Sequence, residues 1–143
     1  MNTGSGKVGL VAGAFDLIHP GYIQLLKDAK RVCDWLIVAL HEDPSLERPN
    51  QKFAPVFSRE ERADILMAIR YVDEVRYYRT EDELAGLILE IRPDIRILGD
   101  DYIGAAHVTG RINIPIYYHQ RTSDWSNTRV RQLITKQMKG RMQ

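Results

Sequence analysis

Apolar and polar positions along this chain follow two rhythms, one of short unbroken apolar runs and one of helical spacing. Val8-Gly-Leu-Val-Ala12 is rich in β-formers, is bounded by glycines and predicts a buried strand. A loop from Gly13 to His19 follows. Pro20 then suits the first turn of a helix whose Tyr22, Leu25, Leu26, Ala29 and Cys33 form an apolar stripe. Trp35 to Leu40 predicts a second strand, apolar almost throughout, as parallel strands covered on both faces are. His41 to Phe57 carries three prolines and reads as a long functional loop. Ser58-Arg-Glu-Glu61 is a capping box opening a helix with Ile65, Leu66, Ile69 and Val72 on one side. Glu74 to Tyr78 predicts a third strand. A second capping box, Thr80-Glu-Asp-Glu83, opens a helix that runs to about Ile91 and is ended by Pro93. Ile95 to Leu98 and Ile114 to Tyr118 predict two more strands, and a polar loop from Gln120 to Trp125 leads to a final helix capped by Ser126. Strands alternating with helices imply an α/β class: an open parallel sheet of about five strands with helices on both faces.

Length and composition narrow the picture. At 143 residues the expectation is a single domain spanning 1–143, with a loose terminus over 1–7. Hydrophobic residues at 44% and charged residues at 27% describe a globular chain and exclude a disordered one. No apolar stretch approaches the roughly 18 to 20 residues that span a bilayer. The polar Met1 to Lys7 lacks a signal-peptide core, so the expected location is the cytoplasm, without a membrane partner. A single cysteine, Cys33, excludes a disulfide framework and is expected to pack as a small buried apolar residue. Lys plus Arg is 20 against 19 Asp plus Glu, a balance that argues against broad adhesion to nucleic acid. The balance conceals an asymmetry. Gln120 to Gln143 holds six basic residues and one acidic, a charge of +5, whereas the rest holds 14 basic and 18 acidic, a charge of −4. A basic terminal helix can simply solvate an exposed face, or it can meet an anion.

Two glycine-rich stretches compete as phosphate sites. Gly4-Ser-Gly-Lys-Val-Gly9 spells G-x-G-x-x-G, but its glycines precede a strand, whereas dinucleotide binding needs them between a strand and a helix. The next turn has the right context. His19-Pro-Gly21 opens a helix at the carboxyl end of the first strand, where open α/β sheets bind ligands. A helix start offers unpaired N–H groups and partial positive charge to phosphate oxygens, Gly21 permits close approach, and His19 can add a donor or a cation.

Gly13-Ala-Phe-Asp-Leu-Ile-His-Pro-Gly-Tyr22 resembles the G-x-F-D-x-x-H-x-G-H signature of the cytidylyltransferase-like nucleotidyltransferases. Further matches stand in the family's order: Arg62 in the capped helix, Leu98-Gly-Asp-Asp101, and Arg121-Thr-Ser-Asp-Trp-Ser-Asn-Thr-Arg129, which resembles R-T-x-x-I-S-T-T. The motif order is similar to that of glycerol-3-phosphate cytidylyltransferases and covers about residues 8 to 135. The resemblance implies a single-domain Rossmann-like fold, often dimeric, that transfers CMP from CTP to a small phosphorylated acceptor with release of pyrophosphate. ATP is the alternative donor, since related adenylyltransferases share the histidine signature.

The same resemblance implies roles by position. His19, Lys52 and Arg129 would carry catalysis, with Arg48 the alternative to Lys52 as the mobile cation. Gly13, Ala14, Phe15, Asp16, Gly21, Tyr22, Arg121, Thr122, Ser126, Asn127 and Thr128 would bind the nucleotide, and Arg62 and Asp100 would face the nucleoside. Mg²⁺ would arrive with the triphosphate and need no protein ligands. Trp125, where the family has an aliphatic residue, would pack under the loop or stack near the base. Two departures matter. Tyr22 replaces the signature's second histidine, exchanging a possible cation for a neutral phenol, so a nucleotide-binding protein without transferase activity is the rival reading. Glu81-Asp-Glu83 stands where glycerol phosphate enzymes have a lysine, which disfavours glycerol phosphate as the acceptor.

Overall fold

The computed structural model describes residues 6–104 and 112–142. Its strands are β1 (Val8–Gly13), β2 (Trp35–His41), β3 (Glu74–Tyr78), β4 (Ile95–Gly99) and β5 (Ile116–His119), all parallel in the order β3-β2-β1-β4-β5. The helices are α1 (Pro20–Arg31), α2 (Arg59–Met67), α3 (Glu81–Ile91) and α4 (Asn127–Arg141). Because the chain builds outward from β1 to β3 and then returns to β4 on the other side of β1, strand order reverses between β1 and β4. The crevice at that switch point lies beside the β1–α1 loop.

The two-residue period of β2 explains its unbroken apolar run. Leu36, Val38 and Leu40 pack with Leu26 and Ala29 of α1 and Leu66 of α2 on one face. Ile37 and Ala39 pack with Leu84 and Ile88 of α3 on the other. Helices therefore cover both faces, as the alternation of elements predicts. No residue of α4 is fully buried.

Local chemistry sets the element ends. Both halves of the Ser58–Glu61 capping box form. At α3 only half does: Thr80 Oγ1 accepts from the Glu83 amide, but the Glu83 carboxylate turns to the Arg79 amide and guanidinium. Helix α2 stops at Met67, short of the predicted stripe, so Ile65 faces outward while Ile69 and Val72 reach the core from successive turns. Those turns deliver Asp73, whose carboxylate accepts from the Leu36 amide (2.8 Å) and pairs with Lys30. Strand β5 starts two residues later than predicted because Pro115 has no N–H for the ladder; its carbonyl accepts from Arg96 instead. Helix α1 ends before Cys33, a half-buried thiol that donates to Ala29 O and whose pKa is raised by burial.

The looseness expected over 1–7 does not extend to Lys7. Lys7 is anchored, its amide donating to Asp34 Oδ2 (2.7 Å) and its carbonyl accepting from Asp34 and Trp35. Residues 1–5, and with them Gly4 of the first glycine-rich stretch, lie outside the described residues, while Gly9 sits within β1. None of the described helices is long and apolar enough to cross a membrane.

Candidate functional site

The β1–α1 loop is strained and held from below. Phe15 and Leu17 have φ of 49° and 51°, a left-handed conformation costing on the order of 1–3 kcal/mol per bulky residue. The surroundings enforce it. Phe15 is buried in the core, and the buried Asp16 carboxylate accepts from the amides of Val56 (2.8 Å) and Phe57 (3.1 Å). Gly13 closes β1 against the Phe15 ring. The Ala14 carbonyl accepts from Arg62.

Arg62 lies under this loop. Its guanidinium donates to four main-chain carbonyls, Phe57 (3.0 Å), Ala14 (2.9 Å), His41 (2.7 Å) and Glu42 (2.6 Å), and it is only 1% exposed. Burial lowers its pKa. The structure places Arg62 as a support joining β1, β2 and α2, in contrast to the nucleoside-facing position that the resemblance implies.

His19 caps α1. Its Nδ1 accepts from the Gly21 amide (3.1 Å), which puts the proton of the neutral ring on Nε2. Burial, helped by the Arg121 charge, lowers its pKa below 6.5, so the ring is neutral at pH 7. This geometry corrects the expectation of free amides at this helix start. Pro20 has no N–H, the Gly21 N–H is used by the His19 ring, and the Tyr22 N–H returns to His19 O. The donor that remains is His19 Nε2–H, backed by the helix dipole. The Tyr22 ring stacks on His19 with centroids 4.3 Å apart, and the Trp125 ring stacks on it at 6.1 Å. Gly21 is required by this packing, since a Cβ there would lie 2.9 Å from His19 Cε1 and 3.2 Å from Trp125 Cβ.

The segment from Arg121 to Arg129 forms the opposite wall. The Asp100 carboxylate accepts from the Arg121 amide (3.1 Å), tying the end of β4 to the loop after β5. Asp100 thus acts on the loop itself. Thr122 and Thr128 are exposed. Ser126 caps α4 by accepting from the Arg129 amide (3.0 Å). The amides of Asn127 and Thr128 have no hydrogen-bond partner among the described residues, so this helix start keeps more open N–H groups than that of α1. Asn127 Oδ1 and Ser123 Oγ are buried without partners. The sequence reading did not single out Ser123, although it lies within the quoted loop motif. Arg129 pairs with Asp124 and lies 4.2 Å over the Trp125 ring, so its charge is partly neutralised. Trp125 is half-buried and lies against both Arg129 (4.2 Å) and His19 (6.1 Å).

Lys52 is exposed, and its amide donates to Arg48 O (2.9 Å), so the two candidate cations bracket one turn. That loop is anchored at its far end by Asp16. Arg131 reaches it too, lying 4.5 Å over the Phe53 ring and 3.7 Å from Asp16. Along the same sheet edge opens a cavity of about 320 Å³, lined in part by Glu42, Asp43, Leu46, Phe57, Arg59 and Arg79. Among the described residues no group of three or more His, Cys, Asp or Glu could cage a metal ion.

A second polar cluster escapes sequence reasoning because its members are far apart in the chain. The Asp28 carboxylate on α1 accepts from His119 Nδ1 (2.8 Å), the Tyr117 hydroxyl (3.0 Å) and Arg31 (2.7 Å), clasping β5 to α1 just before the Arg121 loop.

The pattern of the family described as cytidylyltransferase-like matches residues 10–133. The chain is 45% identical over 96 residues to the bifunctional protein HldE of Gluconacetobacter diazotrophicus and 42% identical over 96 residues to that of Caulobacter vibrioides. Each match covers 67% of this chain and 20% of the relative, so the chain spans about a fifth of the length of these curated relatives. The solved lipopolysaccharide core biosynthesis protein of Thermoplasma volcanium aligns with a TM-score of 0.66 at 25% identity, over 85% of this chain and 100% of that one. A pantoate-β-alanine ligase from Francisella tularensis shares the fold, with a TM-score of 0.58 at 18% identity over 86% and 62% of the two chains. With the signature loop, the capped α4 and the strand order reversing at β1 all in place, the chain belongs to the cytidylyltransferase-like nucleotidyltransferase family.

Proposed function

We propose that this chain transfers a nucleoside monophosphate from a nucleoside triphosphate, CTP in the first reading, to a small phosphorylated acceptor. The observation that carries the reading is the pairing of a neutral His19 Nε2–H donor at the start of α1 with unpartnered amides at the start of α4. Family membership supplies the reaction class. An acceptor phosphate oxygen attacks the α-phosphorus, the bond to the β-phosphate bridging oxygen breaks, and pyrophosphate leaves with the electron pair. The acceptor is already an anion, so positioning and charge stabilisation outweigh proton transfer. His19 Nε2–H would donate to an α-phosphate oxygen as charge grows there. Asn127 and Thr128 amides, with the Thr128 hydroxyl, would hold the β- and γ-phosphates, and Lys52 would approach from its loop. Mg²⁺ would enter with the triphosphate and neutralise phosphate charge; the N–H and hydroxyl donors of this site suit the phosphate oxygens rather than the metal.

These donors read phosphate and not the base, so ATP is the second donor to test. The Thermoplasma volcanium neighbour, named for lipopolysaccharide core biosynthesis, favours a phosphorylated sugar as the acceptor; Arg59 and Arg79 line the adjoining cavity, paired with Glu42 and Glu60 and with Glu83, and would have to exchange those partners to meet its phosphate. The test is pyrophosphate release with Mg²⁺, each nucleoside triphosphate and a panel of sugar and alcohol phosphates. Turnover with ATP alone would move the reading to an adenylyltransferase. Nucleotide binding with no turnover on any acceptor would leave a binding protein. The reading also expects His19→Ala to lower turnover about 10²- to 10³-fold, the usual cost of one transition-state donor.

A further inference from the structure

Phe53, in the loop between β2 and α2, is 72% exposed, although phenylalanine is among the residue types most often buried. Two anchors hold this loop. At one end the amides of Gln51 and Lys52 close a turn on the Arg48 carbonyl (3.1 and 2.9 Å); at the other the buried Asp16 carboxylate takes the amides of Val56 and Phe57. Between the anchors, the backbone of Phe53 and Ala54 makes no hydrogen bond among the described residues. What the Phe53 side chain meets there is the Arg131 guanidinium, whose carbon lies 4.5 Å from the ring centroid. Arg131 is itself held, with Nη2 3.7 Å from Asp16 Oδ2, and it sits about one turn into α4, past Asn127 and Thr128. We propose that Phe53, docked on Arg131, is a positioning residue that fastens the Lys52 turn to α4 and so fixes where the Lys52 ammonium stands relative to the Asn127 and Thr128 amides.

The chemistry of the pair suits a latch. A guanidinium covers an aromatic face and keeps its donors at the edge, so Arg131 can serve the Phe53 ring and the Asp16 carboxylate together, whereas a lysine ammonium is a single point charge. One arginine thus joins three segments: the β1–α1 loop through Asp16, the Lys52 loop through Phe53, and α4. Lys52 itself is exposed and has no ion pair among the described residues, so its chain neighbours set where it stands. A long free side chain gives up rotamer entropy when it meets phosphate, and holding its backbone against α4 beforehand lowers what must still be ordered. The value of that placement for phosphate rests on the transferase reading; the docking of the loop does not.

The latch is tested without ligand by limited trypsin digestion at the Lys52–Phe53 bond, whose cleavage follows the opened population when opening and closing are fast. Rates are normalised to loop peptides carrying the same substitution, which removes any preference of trypsin for the residue after Lys52. Phe53→Leu keeps an apolar side chain without the aromatic face, and Arg131→Gln removes the cation. Each should raise cleavage about 2- to 5-fold, the worth of an exposed cation–π contact. The double variant should be cut no faster than Arg131→Gln alone, and Phe53→Tyr, which keeps the face, should be cut at the unmodified rate. The positioning role is then read by calorimetric binding of Mg²⁺–tripolyphosphate. Phe53→Leu should weaken binding by the same factor in the unmodified chain and cause no further loss in a Lys52→Ala background. Unchanged cleavage in either single variant, multiplicative gains in the double one, faster cleavage of Phe53→Tyr, or an equal loss of affinity in both backgrounds would overturn the proposal. If tripolyphosphate fails to bind the unmodified protein while cleavage responds as expected, the latch stands and the transferase reading falls.

Discussion

Replacing Arg62 by methionine separates a buried support from a nucleoside contact. The substitution keeps much of the side-chain volume and deletes all the donors that serve the carbonyls of Phe57, Ala14, His41 and Glu42. Hydrogen bonds from a charged group are worth about 1.5–3 kcal/mol each, so four would sum to about 6–12 kcal/mol. That sum overstates the loss, because burying the guanidinium itself costs several kcal/mol that methionine does not incur. The net is about 3–5 kcal/mol, the range for removing one side of a buried charged network and a large part of the 5–15 kcal/mol that holds a typical domain. At roughly 4 °C per kcal/mol for a chain of this size, the Tm falls by about 12–20 °C. Urea unfolding followed by the fluorescence of Trp35 and Trp125 gives the free energy directly, and an unchanged slope against urea shows that the same surface is exposed. Arg62→Lys keeps the charge but cannot reach four carbonyls in different directions, so it should recover less than half of the loss. A loss below about 1 kcal/mol, together with a selective drop in nucleotide affinity, would refute this reasoning and return Arg62 to the nucleoside.

Three further outcomes follow from the geometry. Ser58→Ala removes the cap of α2 and should cost about 1 kcal/mol by urea unfolding; no change would mean that the observed capping box contributes nothing. Burial, the largest influence on Asp28, would raise its pKa, but the hydrogen bonds from His119, Arg31 and Tyr117 together hold it below the usual carboxylate value. A carboxylate depressed in the folded state stabilises above its unfolded value and loses that contribution as pH falls through the folded one. Unmodified protein should therefore lose stability more steeply below about pH 4 than Asp28→Asn does, and parallel curves would contradict the clasp. His19, by contrast, is a base whose cation is disfavoured, so the unfolded chain binds more protons near pH 6.5 and stability falls as pH drops through that value. NMR titration should show its imidazole titrating below 6.5, and a value at or above 6.5 would remove the neutral-donor assignment.

The parts of this molecule that were legible in its sequence are those set by near neighbours. The two-residue period of β2 and the Ser58–Glu61 box act within a few residues of themselves. The β1–α1 site was legible because its residues are contiguous from Gly13 to Tyr22. Arg62 was not, since its partners are backbone carbonyls from three separate segments, and a carbonyl leaves no mark in the residue that bears it. Nor was the closure of α1's amides, which depends on a ring nitrogen turning back toward Gly21. The Asp28–His119 clasp joins residues 91 positions apart, each an ordinary surface type when read alone. Helix α2 shows the converse error: its apolar spacing continues past Met67 although the helix does not, because turns can also deliver Ile69 and Val72 to the core.

The same distinction resolves the charge asymmetry of the chain. Of the cations behind the +5 terminal segment, Arg129 is matched by Asp124 and spread over Trp125, and Arg131 is shared between Asp16 and Phe53. Lys139 and Arg141 sit in the last turn of α4, where they complement the negative end of the helix dipole. Arg121 is close enough to act on His19 and Tyr22, and Lys136 lines a cavity with Ser126, Thr128 and Arg129 at the start of α4, so these cations stand beside fixed dipoles and neutral N–H donors. Pre-oriented donors in a partly buried site need little reorganisation when phosphate charge arrives, whereas a mobile cationic tail would be screened by salt and would attract any polyanion. On the proposed reading, a nearly neutral chain presents its anion site through where the donors are held.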